Sequence, residues 1–334
     1  MTVLQLQTVG CDLCGESRSS SVVQTSDHEH GVDGVFNVVR CEGCGLHYLN
    51  PRPTPDAIGR CYPGNYYAYS GGVDNRIASN LKGRLRKLIR RHRPLSSLAG
   101  MIRPLRHVAT DSAIADDIPG WIRPGNVLDV GCGSGGFLDS MQENGWTTFG
   151  IEPGEIAAGL AREKGHQIVC QSATDPLGET LAGQLFDLVL MSHSLEHVHS
   201  PTQALANLRP LLKPETGHLI IEVPNLESLL TYWFGELGLA FDTPRHLYMF
   251  SPDTLSKLLV KTGFEARSIR HIARPIQFVR CLRLLSKDHT PPTWRAAAEA
   301  SLNERELLSA FQPLARLAME KGLGGAIRVV ATRK

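Results

Sequence analysis

Residues 127–138 read VLDVGCGSGGFL, an apolar run that breaks into closely spaced glycines. Glycine has no Cβ and adopts positive φ, so such a turn brings backbone N–H groups against a ligand. Two patterns fit. Gly131, Gly133 and Gly136 spell G-x-G-x-x-G, a dinucleotide signature, while Asp129, Gly131, Gly133 and Gly135 spell D-x-G-x-G-x-G. Glu152 closes the next apolar run, FGIEP, where a carboxylate accepts both hydroxyls of a ribose under either pattern. Asp129 separates them. A carboxylate there opposes a pyrophosphate, and a buried charge needs a partner of opposite sign. S-adenosylmethionine carries no phosphate but does carry an ammonium and a sulfonium, and it is the better match.

Two further groups could do chemistry. His193-Ser194-Leu195-Glu196-His197 spells H-x-x-E-H, which on a helix sets two histidines on one face for zinc. Here it directly follows an apolar strand, so a helical face is not assured, and a general base is favoured over a catalytic metal. A histidine takes a hydroxyl proton near neutral pH. His197 is the first candidate, His193 the second, and His246 in PRHL the third. Cys11-x-x-Cys14-Gly and Cys41-x-x-Cys44-Gly form two knuckles that can close one tetrahedral zinc, leaving no open position for water. That zinc is expected to be structural.

The elements that must hold these residues follow from periodicity. Strands are expected at 126–130, 147–151, 166–171, 186–191 and 218–223, with helices between most of them, which implies a parallel sheet covered on both faces. A helix at 254–261, a strand at 264–272, a helical insert at about 275–322 and a strand at 326–332 complete the pattern, with the last strands forming an antiparallel edge pair. The domains expected are a zinc ribbon at 1–50, a tyrosine-containing and basic linker at 51–119, and an α/β domain at 120–334. The 334 residues, 42% hydrophobic and 20% charged, suit a globular protein with a sizeable core, and the net charge of +2 gives no global reason to bind nucleic acid or membrane. No signal-peptide pattern opens the sequence and no run of about 18 apolar residues occurs in it, so a cytoplasmic protein without a transmembrane segment is expected.

With VLDVGCGSGGFL and FGIEP in place, the chain resembles the class I S-adenosylmethionine-dependent methyltransferases. FDLVLMSHSLEHVHSP, LKPETGHLIIEVPN and DTPRHLYMFSPDTLSKLLVKTGF extend the resemblance over residues 120–334 and narrow it to enzymes that modify sugars, surface glycans and quinones. It implies a doubly wound, mostly parallel seven-stranded sheet with the ribbon at its N-terminus. It also implies that Asp129, Gly131, Gly133 and Gly135 hold the methionyl end of the cofactor and Glu152 its ribose. Ser172 and Ala173 would border the adenine, and Met191 and Ser192 the sulfur.

The acceptor side is less specified. CGLHYLNPRPTPDAIGRCYPGNYYAYS resembles the lead-in of ribbon-bearing glycan methyltransferases, which places Tyr66 and Tyr67 with Arg245 and Tyr248 against the substrate. The expected reaction is methyl transfer to a small hydroxylated acceptor, a sugar or sugar-bearing intermediate, at oxygen rather than carbon or nitrogen. NRIASNLKGRLRKLIRRHR, from residue 75, reads as a basic amphipathic helix. It is compatible with a solvated surface, a membrane surface, an acidic substrate or RNA. The alternative function is therefore an RNA methyltransferase whose ribbon and helix grip nucleic acid.

Overall fold

The computed structural model describes residues 4–62, 125–177, 181–288 and 304–334. Tyr66, Tyr67, the basic stretch at 75–93 and residues 289–303 of the insert lie outside the described residues. Among the described residues no helix is long and apolar enough to cross a membrane.

The N-terminal module is built from short strands: β1 (Leu6–Gln7), β2 (Ser19–Thr25), β3 (Phe36–Cys41), β4 (His47–Leu49) and β5 (Arg52–Pro53). β1 pairs with β5, while β2, β3 and β4 form an antiparallel meander. β3 is buried on both faces, with Val38 opposite Leu49 and Val39 opposite Tyr48 of β4.

Residues 125–170 alternate strand and helix as expected. β6 (Asn126–Val130) leads into α1 (Gly136–Glu143), β7 (Thr147–Ile151) into α2 (Glu155–Glu163), and β8 (Gln167–Val169) follows. β6 pairs with β7, and β7 with β8, all parallel. α2 lies close on its strands because it buries only small side chains, Ala157, Ala158 and Ala161.

The C-terminal half continues with β9 (Leu188–Ser192), α3 (Pro201–Leu208), β10 (His218–Pro224), α4 (Leu229–Phe234), β11 (Tyr248–Met249), α5 (Pro252–Lys261), β12 (Phe264–Ile272), α6 (Pro275–Asp288), α7 (Glu304–Glu320) and β13 (Ala326–Arg333). β9 and β10 are parallel, and β13 runs antiparallel to both β10 and β12. The sheet formed by β6 to β10, β12 and β13 is thus seven-stranded and mostly parallel, with the expected reversed pair. Its central strands are apolar on both faces, as for Leu219, Ile220 and Ile221 of β10. Helix starts follow local chemistry. Ser200 caps α3 by accepting from Gln203 N, and Ser251 with Thr254 forms a capping box on α5, each with proline in the first turn.

Residues 1–64 cluster with 171–334, and residues 65–170 form the other unit. The reason is β11, which pairs antiparallel with β4 and so becomes the fourth strand of the ribbon's sheet. Arg52 donates to the Tyr248 hydroxyl at 2.7 Å, and the Asp12 carboxylate accepts from Ser200 Oγ and Thr202 N. The ribbon is joined to the C-terminal half by a strand and buried polar contacts rather than by a linker alone.

Candidate functional site

In the unit of residues 65–170, the turn after β6 has the backbone the glycines were expected to provide. Gly131, Gly133 and Gly135 all have positive φ, at 79°, 52° and 82°. At Gly135 a Cβ would lie 2.8 Å from His166 Cδ2, so glycine is required for space as well as for conformation. Glu152, at the end of β7, is buried, and its carboxylate accepts from Gly133 N at 2.9 Å and Gly154 N at 2.8 Å. Each oxygen keeps a lone pair for a further donor. Burial raises its pKa, against those two N–H groups.

Asp129 is 5% exposed. Among the described residues no lysine, arginine or histidine pairs with it. Burial, with Glu152 adding to it, pushes its carboxyl up to about 7. A buried acid of this kind is favoured in its charged form only by a nearby cation.

In the other unit, the loop ends of β9 and β10 gather histidines and acids. Ser172 and Ala173 sit in a turn closed by Asp175, whose carboxylate accepts from Ser172 N; Asn207 holds the Ala173 carbonyl. Met191 is fully buried and Ser192 exposed at the end of β9.

His193 follows in a left-handed conformation, φ 52°, which is uncommon for a non-glycine residue and concentrates at functional sites. Its two ring nitrogens each lie 3.4 Å from a buried carboxylate, Glu196 and Glu222. Burial alone would lower its pKa, but the two acids outweigh it and hold the imidazole up at about 9. His193 is therefore a cation at neutral pH, unsuited to accept a proton. Glu222 is itself held down at about 2, against its burial, by His193, Arg328 and Arg274.

His197 and His246 meet edge to face, their ring centroids 4.7 Å apart. His197 Nδ1 is 3.0 Å from the Arg245 carbonyl and 3.0 Å from the Tyr62 hydroxyl. A carbonyl only accepts, so Nδ1 carries a proton. His246 Nδ1 likewise donates to the Ala240 carbonyl at 3.0 Å. Burial, with the neighbouring His197, lowers the His246 pKa to about 4.

Arg245 and Tyr248, expected at the substrate, are buried and fully engaged. The Arg245 guanidinium is bidentate to Asp27 of the ribbon at 2.7 and 2.8 Å, also binds Asp242, and donates to the Cys61 carbonyl. The Tyr248 hydroxyl donates to the His199 carbonyl while accepting from Arg52. Their positions fix the chain that presents His246. Glu222 was not among the expected site residues. A lone acid inside the apolar run LIIEVP is the signal that would have found it. Asp27 carries no such signal, because its partner is remote in sequence.

The four expected cysteines converge. Cys11 Sγ lies 3.5 Å from Cys44 Sγ, Cys14 Sγ lies 3.4 Å from Cys41 Sγ, and all four sulfurs are within 4.8 Å of one another. A disulfide needs about 2.05 Å. Sulfurs about 2.3 Å from a tetrahedral zinc stand about 3.8 Å apart, so the set fits that ion.

Comparison with known proteins covers the region of the glycine turn. Residues 106–269 match the family model described as a methyltransferase domain. Residues 106–269, just under half of the chain, are thus similar to a methyltransferase domain, and a cluster of four cysteines lies before them. It is 31% identical over 129 residues to the ubiquinone biosynthesis O-methyltransferase of Acinetobacter baylyi, covering 37% of this chain and 53% of that protein. It is 34% identical over 117 residues to the ubiquinone biosynthesis O-methyltransferase of Vibrio parahaemolyticus, covering 34% and 48%. The chain spans about half the length of these curated relatives. A solved S-adenosylmethionine-dependent methyltransferase from Archaeoglobus fulgidus superposes with a TM-score of 0.43 at 21% identity, over 66% of this chain and 91% of that one. The O-methyltransferase of a Brevibacillus brevis trans-AT PKS multienzyme, in complex with S-adenosyl-L-homocysteine, gives 0.41 at 15%, over 63% and 67%.

Proposed function

We propose that the protein transfers the methyl group of S-adenosylmethionine to the hydroxyl of a small acceptor. The observation that carries this reading is Asp129, a buried acid with no cationic partner among the described residues, set beside a positive-φ glycine turn. Asp129 receives the cofactor's ammonium, Glu152 its ribose hydroxyls, and the turn at Gly131, Gly133 and Gly135 supplies close backbone. Ser172 and Ala173 border the adenine, and Met191 with Ser192 the sulfur. The bound cofactor supplies an electrophilic methyl on a sulfonium. The protein's part is to align the acceptor with it, exclude water and manage the acceptor's proton.

On the acceptor side, Glu196, His197 and His246 activate the hydroxyl, and His193 contributes a positive charge at their edge. His197 is the more exposed of the two imidazoles and meets the acceptor first. Arg245 and Tyr248 act indirectly, by fixing the backbone before and after His246. A sugar or a related polyhydroxylated compound remains our preferred acceptor, supported by the resemblance of the ribbon and its lead-in. An intermediate of ubiquinone biosynthesis, as in the relatives' name, is the second choice. Residues 75–93, which motivated the RNA alternative, lie outside the described residues. The Cys11, Cys14, Cys41 and Cys44 set holds a structural zinc.

The test is transfer from methyl-labelled S-adenosylmethionine to a panel of nucleotide sugars and dihydroxy-phenols, with RNA and protein fractions of a host extract in parallel. Label on a small-molecule hydroxyl supports the proposal. Cofactor binding with no transfer to any fraction, or label confined to RNA, refutes it.

A further inference from the structure

We propose that Tyr62, which follows the short strands of the N-terminal module, is a positioning residue for His197, and that its phenolic oxygen completes the acceptor side of the site. The inference deepens the hydroxyl-transfer reading and rests on it for what His197 does.

His197 Nδ1 has two oxygens at 3.0 Å, the Arg245 carbonyl and the Tyr62 hydroxyl. The carbonyl can only accept, so the N–H lies on Nδ1 and the phenolic oxygen takes a share of it as a second acceptor. One oxygen would leave the imidazole free to swing about a single bond. Two oxygens, remote from each other in sequence, hold the plane of the ring as well as the place of its proton. In its neutral form the ring then carries its lone pair on Nε2, and only that nitrogen can take a proton from an acceptor hydroxyl. As the acceptor's O–H bond breaks, an N–H bond forms at Nε2, and the two oxygens at Nδ1 stabilise the imidazolium so formed.

Tyr62 is set in this place by its own surroundings. It follows a 3-10 turn, Ile58–Cys61, and its N–H donates to the Gly59 carbonyl at 3.3 Å. The carbonyl of the residue before it, Cys61, accepts from Arg245 Nη1 at 3.1 Å. The contacts therefore close on themselves. The Arg245 guanidinium holds the peptide next to Tyr62, the Tyr62 hydroxyl meets His197, and the His197 ring returns to the Arg245 carbonyl. A satisfied network of this kind is rigid, because no member can turn without breaking a second contact. The Tyr62 and His197 rings are tilted at 54° with centroids 6.1 Å apart, so the two residues meet through the hydroxyl rather than by stacking. Phenylalanine would fill the same space, and the oxygen is the part of Tyr62 that the histidine uses.

The experiment is Tyr62→Phe in the full chain, which keeps the ring and removes only the oxygen. Its first reading needs no acceptor. With S-adenosylhomocysteine bound, the His197 Nδ1–H is followed by proton–nitrogen NMR, with His197→Asn for assignment. We expect a resolved, slowly exchanging signal in the wild type and exchange with water at least about tenfold faster in Tyr62→Phe, with the affinity for S-adenosylhomocysteine unchanged. The second reading is transfer to the acceptor found in the labelled panel, where kcat and kcat/KM should fall together by about tenfold while KM holds, as when a contact used only in the transition state is lost. A wild-type His197 without a proton on Nδ1 overturns the inference with no variant needed. Unchanged exchange in Tyr62→Phe overturns it by making the residue a packing group, and a raised KM at constant kcat overturns it by making the residue a substrate contact. Faster exchange in Tyr62→Phe, in a protein that transfers methyl to no acceptor, would sink the transfer reading and keep Tyr62 as the residue that orients His197.

Discussion

The buried acid at the end of β6 allows a test that needs no knowledge of the acceptor. Asp129 has its carboxyl raised from 3.8 to about 7, burial being the main cause. A raised acid keeps its proton in the folded chain after the unfolded chain has lost it. Stability therefore falls as pH rises from about 4 to about 7 and levels off above. Roughly three pKa units correspond to a ceiling of about 4 kcal/mol, reached near neutral pH. Asp129→Asn removes the ionisation, so the unliganded protein should gain stability at pH 7.5, by an amount below that ceiling because a buried amide also needs partners. The same variant should lose cofactor affinity. In the wild type, S-adenosylhomocysteine, which carries the ammonium but does not react, should bind more tightly as pH rises, by at most about tenfold per unit up to about 7. Binding below that pH should release a proton. Calorimetry in buffers of different ionisation heat measures both quantities. Equal affinities at about pH 5.5 and 7.5, or an unchanged pH slope in Asp129→Asn, would refute the pairing of Asp129 with the ammonium.

Four further outcomes are expected. Glu152→Gln should weaken cofactor binding by more than about 1 kcal/mol, as loss of a charged acceptor does, and an unchanged calorimetric Kd would remove Glu152 from the ribose site. His193 should titrate by NMR near pH 9, and the stability it gains from Glu196 and Glu222 should be full below about pH 6.5 and decline as pH rises towards 9; a midpoint below 6.5 would contradict the two-acid cradle. Asp27→Asn leaves Arg245 buried with one of its two acids gone, so a loss of about 3–5 kcal/mol is expected in denaturant unfolding. An effect within 0.5 kcal/mol would mean that the ribbon does not anchor this arginine. Strong chelation should remove zinc and lower the melting temperature, whereas Cys170→Ser, outside the cluster, should leave metal content unchanged.

The acceptor-side chemistry and the ribbon meet in one stretch of chain. Arg245 is held by an acid from the ribbon, its own carbonyl orients His197, and the next residue is His246. The ribbon thus helps to fix the histidines, as well as gathering four cysteines at its own end.

Much of this was legible in the sequence because it depends on local rules. Strand-length apolar runs separated by helical periods set β6, β7, β10 and β12 within a residue or two, and the spacing of two C-x-x-C knuckles named the four residues that converge. The glycines of the turn were readable because positive φ excludes most other side chains, wherever the turn sits. What local rules cannot give is which remote groups share a buried volume. A tyrosine at 48 and one at 248 become cross-strand neighbours only when β11 joins the ribbon. Arg245 read as a substrate contact from its motif, yet the fold surrounds it with Asp27 and Asp242. The histidines were visible as titratable groups, but their roles also turn on groups that only folding brings to them, Glu222 for His193 and the Arg245 carbonyl for His197. Two acids keep His193 charged, and two carbonyls fix the protons of His197 and His246. Residue type and spacing determined what chemistry was available, and tertiary packing decided how those groups are charged and paired, because desolvation and hydrogen bonding act through space.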